Sequence, residues 1–153
     1  MASIKNDQDL RHALNQLPTD RQRIIGALFA QSVLHLNQEE RIERALETAV
    51  KTAAGEAELE DAFRAAKTRA TKTYTACGTD TDWLAQADHF VAAAAATALT
   101  PDALQTDRQN RAWKAAVQAR MAKNCELMED EDGESQTEAE QQYRIANEYL
   151  DKA

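Results

Sequence analysis

Apolar positions recur at helical spacing along nearly the whole chain. Leu10, Leu14 and Leu17 share one face of a helix expected over 7–17, which Pro18 ends. Thr19 and Gln22 have the spacing of a capping box and open a second helix over 20–36. Its inner stripe is Ile24, Ile25, Leu28, Ser32 and Leu36, flanked by Phe29 and Val33. Asn37 with Glu40 caps a third helix over 38–54, whose stripe Ile42, Ala45, Leu46, Ala49, Val50 and Ala53 is the cleanest in the chain. Gly55 reads as its C-terminal stop. A fourth helix over 56–77 carries Leu59, Ala62, Phe63, Ala66, Ala70, Tyr74 and Cys77 on one face and ends at Gly78.

Thr79, Asp80, Thr81 and Asp82 offer N-caps to a fifth helix over 82–99. Thr100-Pro101-Asp102 separates it from a sixth that reaches Met128, with a break near Asp107 left open. An acidic loop over 129–135 follows. Ser135 or Thr137 then caps a seventh helix over 138–152, with Ala139, Tyr143, Ala146 and Leu150 inward. The connections outside the acidic loop are short, which favours antiparallel neighbours. The expected fold is a single all-α domain over 1–153, an antiparallel bundle of about seven helices.

Helix 5 holds the stretch "DHFVAAAAATAL". At about 100° per residue, Trp83, Ala87, Phe90, Val91, Ala94 and Ala98 fall within one arc. Ala85, His89, Ala92 and Ala96 fall opposite. A helix with two low-polarity faces is expected to be buried on both, and small side chains admit a close neighbour. Exposed alanine, favoured for helix propensity alone, is the competing reading. Helix 6 repeats the design. Trp113, Ala116, Val117, Met121 and Met128 form its larger face, and Ala112, Ala115, Ala119 and Ala122 a seam opposite. Helices 5 and 6 are therefore expected at the centre, packed seam to seam. Arg120 interrupts the larger face, so it must snorkel, pair with a carboxylate or bind an anion.

Composition agrees with this pattern. Only 5% of residues are aromatic, and the chain has 4 Gly and 2 Pro, too few for the turns of a sandwich or barrel. Net charge is −8 and unevenly placed. Residues 126–140 contain Glu126, Glu129, Asp130, Glu131, Asp132, Glu134, Glu138 and Glu140 and no Lys or Arg. That balance argues against a nucleic-acid partner. It suits a basic protein partner instead, met by Glu129, Asp130, Glu131, Asp132 and Glu134. The most apolar run, Ile24–Leu36, is too short and polar to cross a bilayer, and a cytoplasmic location without a membrane partner is expected. The two cysteines, Cys77 and Cys125, lack metal spacing and read as reduced, partly buried small side chains.

Candidate chemistry is thin. Asp88 and His89 are neighbours in sequence, but adjacent helical residues point about 100° apart, and no nucleophile is identifiable beside them. His35 is expected to bond free carbonyls in the last turn of helix 2, and His12 to be exposed. The stretch "MEDEDGESQTEAE" imitates a calcium loop, yet Met128 and Ala139 stand where oxygen ligands belong. No Glu-x-x-His or Cys-x-x-Cys occurs, so no metal, cofactor or catalytic set is expected. The leading expectation is a non-enzymatic interaction module. The alternative is a small-molecule or enzymatic domain with a pocket near Trp83, His89, Trp113 and Arg120.

The stretches "ALETAVKTAAGEAELEDAFRAAKTRA" and "HFVAAAAATAL" resemble small helical immunity proteins of bacterial toxin systems. The likeness spans about half the chain. It implies an acidic, cytoplasmic, toxin-neutralising binder and carries over no functional residues.

Overall fold

Alanine decides how closely the helices of this protein approach one another. The computed structural model describes residues 3–37, 39–77, 83–104, 110–129 and 138–152. Among them are seven α-helices and no strand: α1 (Asp7–Asn15), α2 (Thr19–Gln31), α3 (Glu40–Ala49), α4 (Glu56–Cys77), α5 (Trp83–Leu99), α6 (Arg111–Glu129) and α7 (Glu138–Lys152). They form an all-α antiparallel bundle. Helix α5 packs on α2, α3, α4 and α6, while α6 packs on α1, α2, α5 and α7. The two alanine-rich helices are thus the centre, as their double faces imply.

The small-residue seam of α6 is core; on α5, Ala92 and Ala96 of the seam are buried, while Ala85 and His89 are half-buried. Ala92, Ala95 and Ala98 of α5 are fully buried, as are Ala112, Ala115, Ala119 and Ala122 of α6. Gly26 of α2 sits at the junction. A Cβ there would lie 3.2 Å from Ala98 Cβ and 3.4 Å from Ala112 Cα. Around this centre lie two apolar clusters. One joins α3 and α4 to α5 through Ile42, Leu46, Ala66 and Val91. The other joins α1 and α7 to α2 and α6 through Leu10, Leu14, Phe29 and Ala146.

The larger face of α6 is core only in part: Ala116 is fully buried beside Leu10, Leu14 and Ala146. Met121 and Met128 are 41% and 56% exposed, and Trp113 is half-buried. The seam faces α5 and α2; opposite it, Ala116 and Trp113 pack toward α1 and α7, while Met121 and Met128 turn outward. Tyr74 is likewise exposed near the end of α4 rather than inward.

Several helix ends also differ from the sequence pattern. Helix α2 stops at Gln31, and a single 3-10 turn spans Leu34–Leu36. Pro18, not Thr19, is its N-cap, and Gln22 donates to the Leu17 carbonyl at 2.9 Å instead of closing a capping box. Glu39 caps α3, while Asn37 uses its amide to bond Asp88. Helix α3 ends at Ala49 because Arg23 Nε takes the Ala49 carbonyl at 3.0 Å and Arg23 Nη2 that of Lys51 at 2.6 Å. Gly55 belongs to the start of α4, its carbonyl accepting from Leu59 N. Pro101 precedes a 3-10 turn at Asp102–Leu104, and α6 begins only at Arg111. The candidate caps Thr79, Asp80, Thr81, Asp82, Ser135 and Thr137 lie outside the described residues.

The two seam alanines of α5 should respond differently to enlargement. Ala92 is fully enclosed, whereas Ala96 lines a cavity. Ala92→Leu is expected to cost about 1–2 kcal/mol by overpacking, and Ala96→Leu well under about 1, because its added carbons enter open space. Urea unfolding of the two variants checks the order. Equal losses would contradict it.

Candidate functional site

Asp88 and His89 on α5 both turn toward α4, and each is occupied by structure. Asp88 Oδ2 accepts from Arg69 Nη2 at 2.6 Å, and Asp88 Oδ1 accepts from the Asn37 amide. His89 Nδ1 lies 3.0 Å from Thr73 Oγ1, which also lies 2.8 Å from the Arg69 carbonyl. The His89 ring stands between Tyr74 and Phe90, with centroids 5.7 and 5.3 Å away. Burial lowers the His89 pKa, against the Ala70 carbonyl and the Asp88 charge, which raise it. The imidazole is therefore neutral at pH 7.

Beside His89 opens a cavity of about 570 Å³ between α4, α5 and α6. Lys67, Tyr74, Thr97, Lys114 and Gln118 contribute to its wall. It adjoins a second cleft of about 530 Å³, and Phe63, Lys67 and Leu104 line both. The small side chains of Ala93 and Ala96 leave this space open on the α5 side. The seam is thus packed at Ala92 and open at Ala96, and His89 is a cavity wall.

The other three residues of the expected pocket lie elsewhere. Trp83 is half-buried at the start of α5 and lines neither cavity. Trp113 and Arg120 do meet, with the Arg120 guanidinium 5.1 Å from the Trp113 ring centre and Arg11 at the same distance. They share the face of α6 that looks toward α1 and α7, opposite the seam that faces α5. Helical geometry therefore keeps them from His89. Arg120 has found a carboxylate: Nη1 and Nη2 donate to Asp7 Oδ2 and Oδ1 at 2.9 and 2.7 Å, and Nε donates to Gln142 Oε1 at 2.8 Å.

Of the acidic candidates, Asp130, Glu131, Asp132 and Glu134 lie outside the described residues, as do positions 130–137 of the imitation calcium loop. The Glu129 side chain is not described either. Two acidic residues flanking that segment do show their partners. Glu126 bonds His35 Nε2 at 2.7 Å and also accepts from Lys123. His35 thus pairs with a carboxylate on α6 rather than with helix-end carbonyls, because α2 ends before it. Glu138, buried at the start of α7, accepts from Ser32 Oγ. Burial pushes the Glu138 carboxyl above its usual range, opposed by the Ser32 bond and by the charges of Lys123 and His35. Both flanks of the acidic segment are tied to the region just after α2.

The raised Glu138 pKa fixes a sign. A carboxyl harder to ionise folded than unfolded costs stability once pH rises above its unfolded value. Glu138→Gln keeps an acceptor for Ser32 and removes the buried charge. It is expected to stabilise the fold by about 0.5–1 kcal/mol at pH 7, and to change little near pH 4, where the native carboxyl is protonated. Denaturant unfolding at the two pH values decides; destabilisation at pH 7 would contradict the assignment.

Cys125 is buried, and the Cys77 side chain is not described. His12 is exposed. Among the described residues no group of three or more His, Cys, Asp or Glu is placed to hold a metal ion. Among the same residues no helix is long and apolar enough to cross a membrane. No protein-family model matches the chain, and no curated protein or solved structure matches it. The resemblance to immunity proteins therefore rests on its quoted stretches alone.

Proposed function

We propose that the protein is a non-enzymatic helical interaction module of the cytoplasm that binds a basic protein partner. The observation that carries this reading is the charge of residues 126–140, which hold eight acidic residues and no basic one. Met121 and Met128 add exposed apolar surface on α6 next to it. Charged rims steer encounter and select partners, while apolar contacts supply affinity. Glu126 and Glu138, on either flank, are both anchored near the end of α2. A toxin-neutralising role of the immunity kind is one form such binding would take.

Affinity capture from bacterial lysate tests it, with the native chain beside a variant carrying Gln or Asn at 129, 130, 131, 132 and 134. The native chain is expected to retain a discrete basic protein at about 50 mM salt and release it near 500 mM, as screening shortens the reach of charge. The neutralised variant is expected to retain none. Identical capture by both chains would refute the proposal. A second reading, small-molecule binding, is favoured by the adjoining cavities along α4.

A further inference from the structure

The cleft of about 530 Å³ between α2, α4 and the Pro101–Leu104 turn was not legible in the sequence. Two arginines form its floor, and both are at least nine-tenths buried: Arg23 from α2 and Arg111 from the start of α6. Their donors are only partly used. Arg23 spends Nε and Nη2 on the Ala49 and Lys51 carbonyls, and its Nη1 has no hydrogen bond among the described residues. Arg111 donates Nη1 to the Thr100 carbonyl and Nη2 to the Thr19 carbonyl at 2.7 Å, while its buried Nε–H has no partner among the described residues.

Charge balance on the floor is poor. The Asp102 carboxylate stands 3.1 Å from Arg111 Nη2 but is 64% exposed, so water weakens its hold. Arg23 has no carboxylate partner among the described residues. Burial lowers the Arg111 pKa, partly offset by Asp102, and the neighbouring charge of Arg23 lowers it further. Two desolvated cations that repel one another are costly unless something negative joins them. The walls are apolar, formed by Leu59, Phe63 and Leu104 among others. At the rim, the exposed carboxylates of Asp20, Glu56, Glu60 and Asp102 outnumber the two exposed cations, Arg64 and Lys67. A buried cation acts through a lower dielectric than an exposed carboxylate, so the floor favours an anion while the rim repels a doubly charged one.

We propose that this cleft binds a small amphipathic monocarboxylate, its carboxylate between Arg23 and Arg111 and its hydrocarbon body along Leu59, Phe63 and Leu104. A cleft of this volume, with an apolar wall and two buried cations at its floor, has the form of a small-molecule site. The proposal deepens the small-molecule reading and is independent of the acidic segment. The two arginines also have structural duties, capping α3 and fixing the start of α6. Replacing them would confuse binding with folding, so the test leaves them in place.

The full chain is titrated with octanoate, octanamide and octyl phosphate, followed by calorimetry and by proton–nitrogen NMR. Octanoate is expected to bind, with octanamide about tenfold weaker or worse, because it loses charge-assisted hydrogen bonds. Octyl phosphate is expected to be weaker than octanoate. The Nε–H signals of Arg23 and Arg111 shift on binding, and the backbone amides of Ala93 and Gln118 in the adjoining cavity do not. Leu104→Glu, at a position 58% exposed, is expected to leave the melting temperature unchanged and weaken octanoate about tenfold. The variant neutralised at 129–134 keeps octanoate binding, which separates this site from the protein-partner reading. The proposal is overturned by any of four results: equal affinity for octanoate and octanamide, tighter octyl phosphate, no octanoate binding at millimolar concentration, or unmoved arginine signals.

Discussion

Gly26→Leu is expected to lose about 3 kcal/mol of stability and lower the melting temperature by about 10 °C. Glycine inside a helix costs about 1 kcal/mol relative to alanine, so its presence mid-α2 needs a compensating contact. That contact is the approach of three helices. A Cβ at position 26 would meet Ala98 Cβ at 3.2 Å, Ala112 Cα at 3.4 Å and Ala115 Cβ at 3.5 Å. The Ala112 atom is backbone and cannot turn aside. Gly26→Ala is therefore expected near neutral, its gain in helix propensity offset by a few tenths of an ångström of forced separation. Leucine adds three more carbons where no space exists, so α2 must part from α5 and α6 together. Alanine seams gain stability by close approach rather than by large apolar area per residue. Urea unfolding followed by circular dichroism measures the loss. A Gly26→Leu variant within about 1 kcal/mol of the native chain would show that the three-helix junction is loosely packed.

The same junction explains what the sequence could and could not convey. The period of apolar residues marks each helix, and the angular placement of alanines separates two low-polarity sides of α5 and α6. Those signals are local, repeating within about two turns. Which side faces the centre depends on what packs there. On α6 the alanine side won, because close approach to α5 and α2 needs small residues, and Met121 and Met128 were left outside. Cap patterns misled for a similar reason. Asn37 has the spacing of a cap, yet its amide serves Asp88 on α5, fifty-one positions away. The end of α3 is set by Arg23, twenty-six positions before Ala49. Nothing near Arg23 or Arg111 in sequence marks them as neighbours, so the cleft they share needed the assembled helices. His89 was legible as a seam residue and as a candidate pocket residue; the rest of the cavity wall was not, because Lys67, Lys114 and Gln118 come from other helices.

Arg120→Ala is expected to cost about 3 kcal/mol, through polar bonds that join three helices. Arg120 holds Asp7 at the start of α1 with two bonds and Gln142 of α7 with a third. Tyr143 Oη donates to the same Asp7 carboxylate at 2.7 Å, and Gln142 Nε2 donates to the Ala116 carbonyl at 2.8 Å. Gln142 has no solvent exposure. Losing Arg120 strands its Oε1 without a partner, a cost of about 1–3 kcal/mol, and removes the cation from the Trp113 face, worth about 0.5–1 kcal/mol. Asp7 is half-exposed, so water replaces much of what it loses and its share is small. If the stranded Gln142 is the main cost, Arg120→Ala combined with Gln142→Leu should be more stable than Arg120→Ala alone, because the orphaned acceptor is gone. The pH response carries an independent sign. The Arg120 bonds hold the Asp7 carboxyl below its usual range, aided by Tyr143 and opposed by partial burial. A carboxyl easier to ionise folded than unfolded gives stability above its unfolded pKa, and that stability fades as pH falls through the lowered folded value. The Arg120→Ala variant should therefore lose less stability than the native chain on acidification below about pH 4. An anion-binding role for Arg120 would require this cluster to open, so a variant of native stability with an unchanged acid profile would displace the structural assignment.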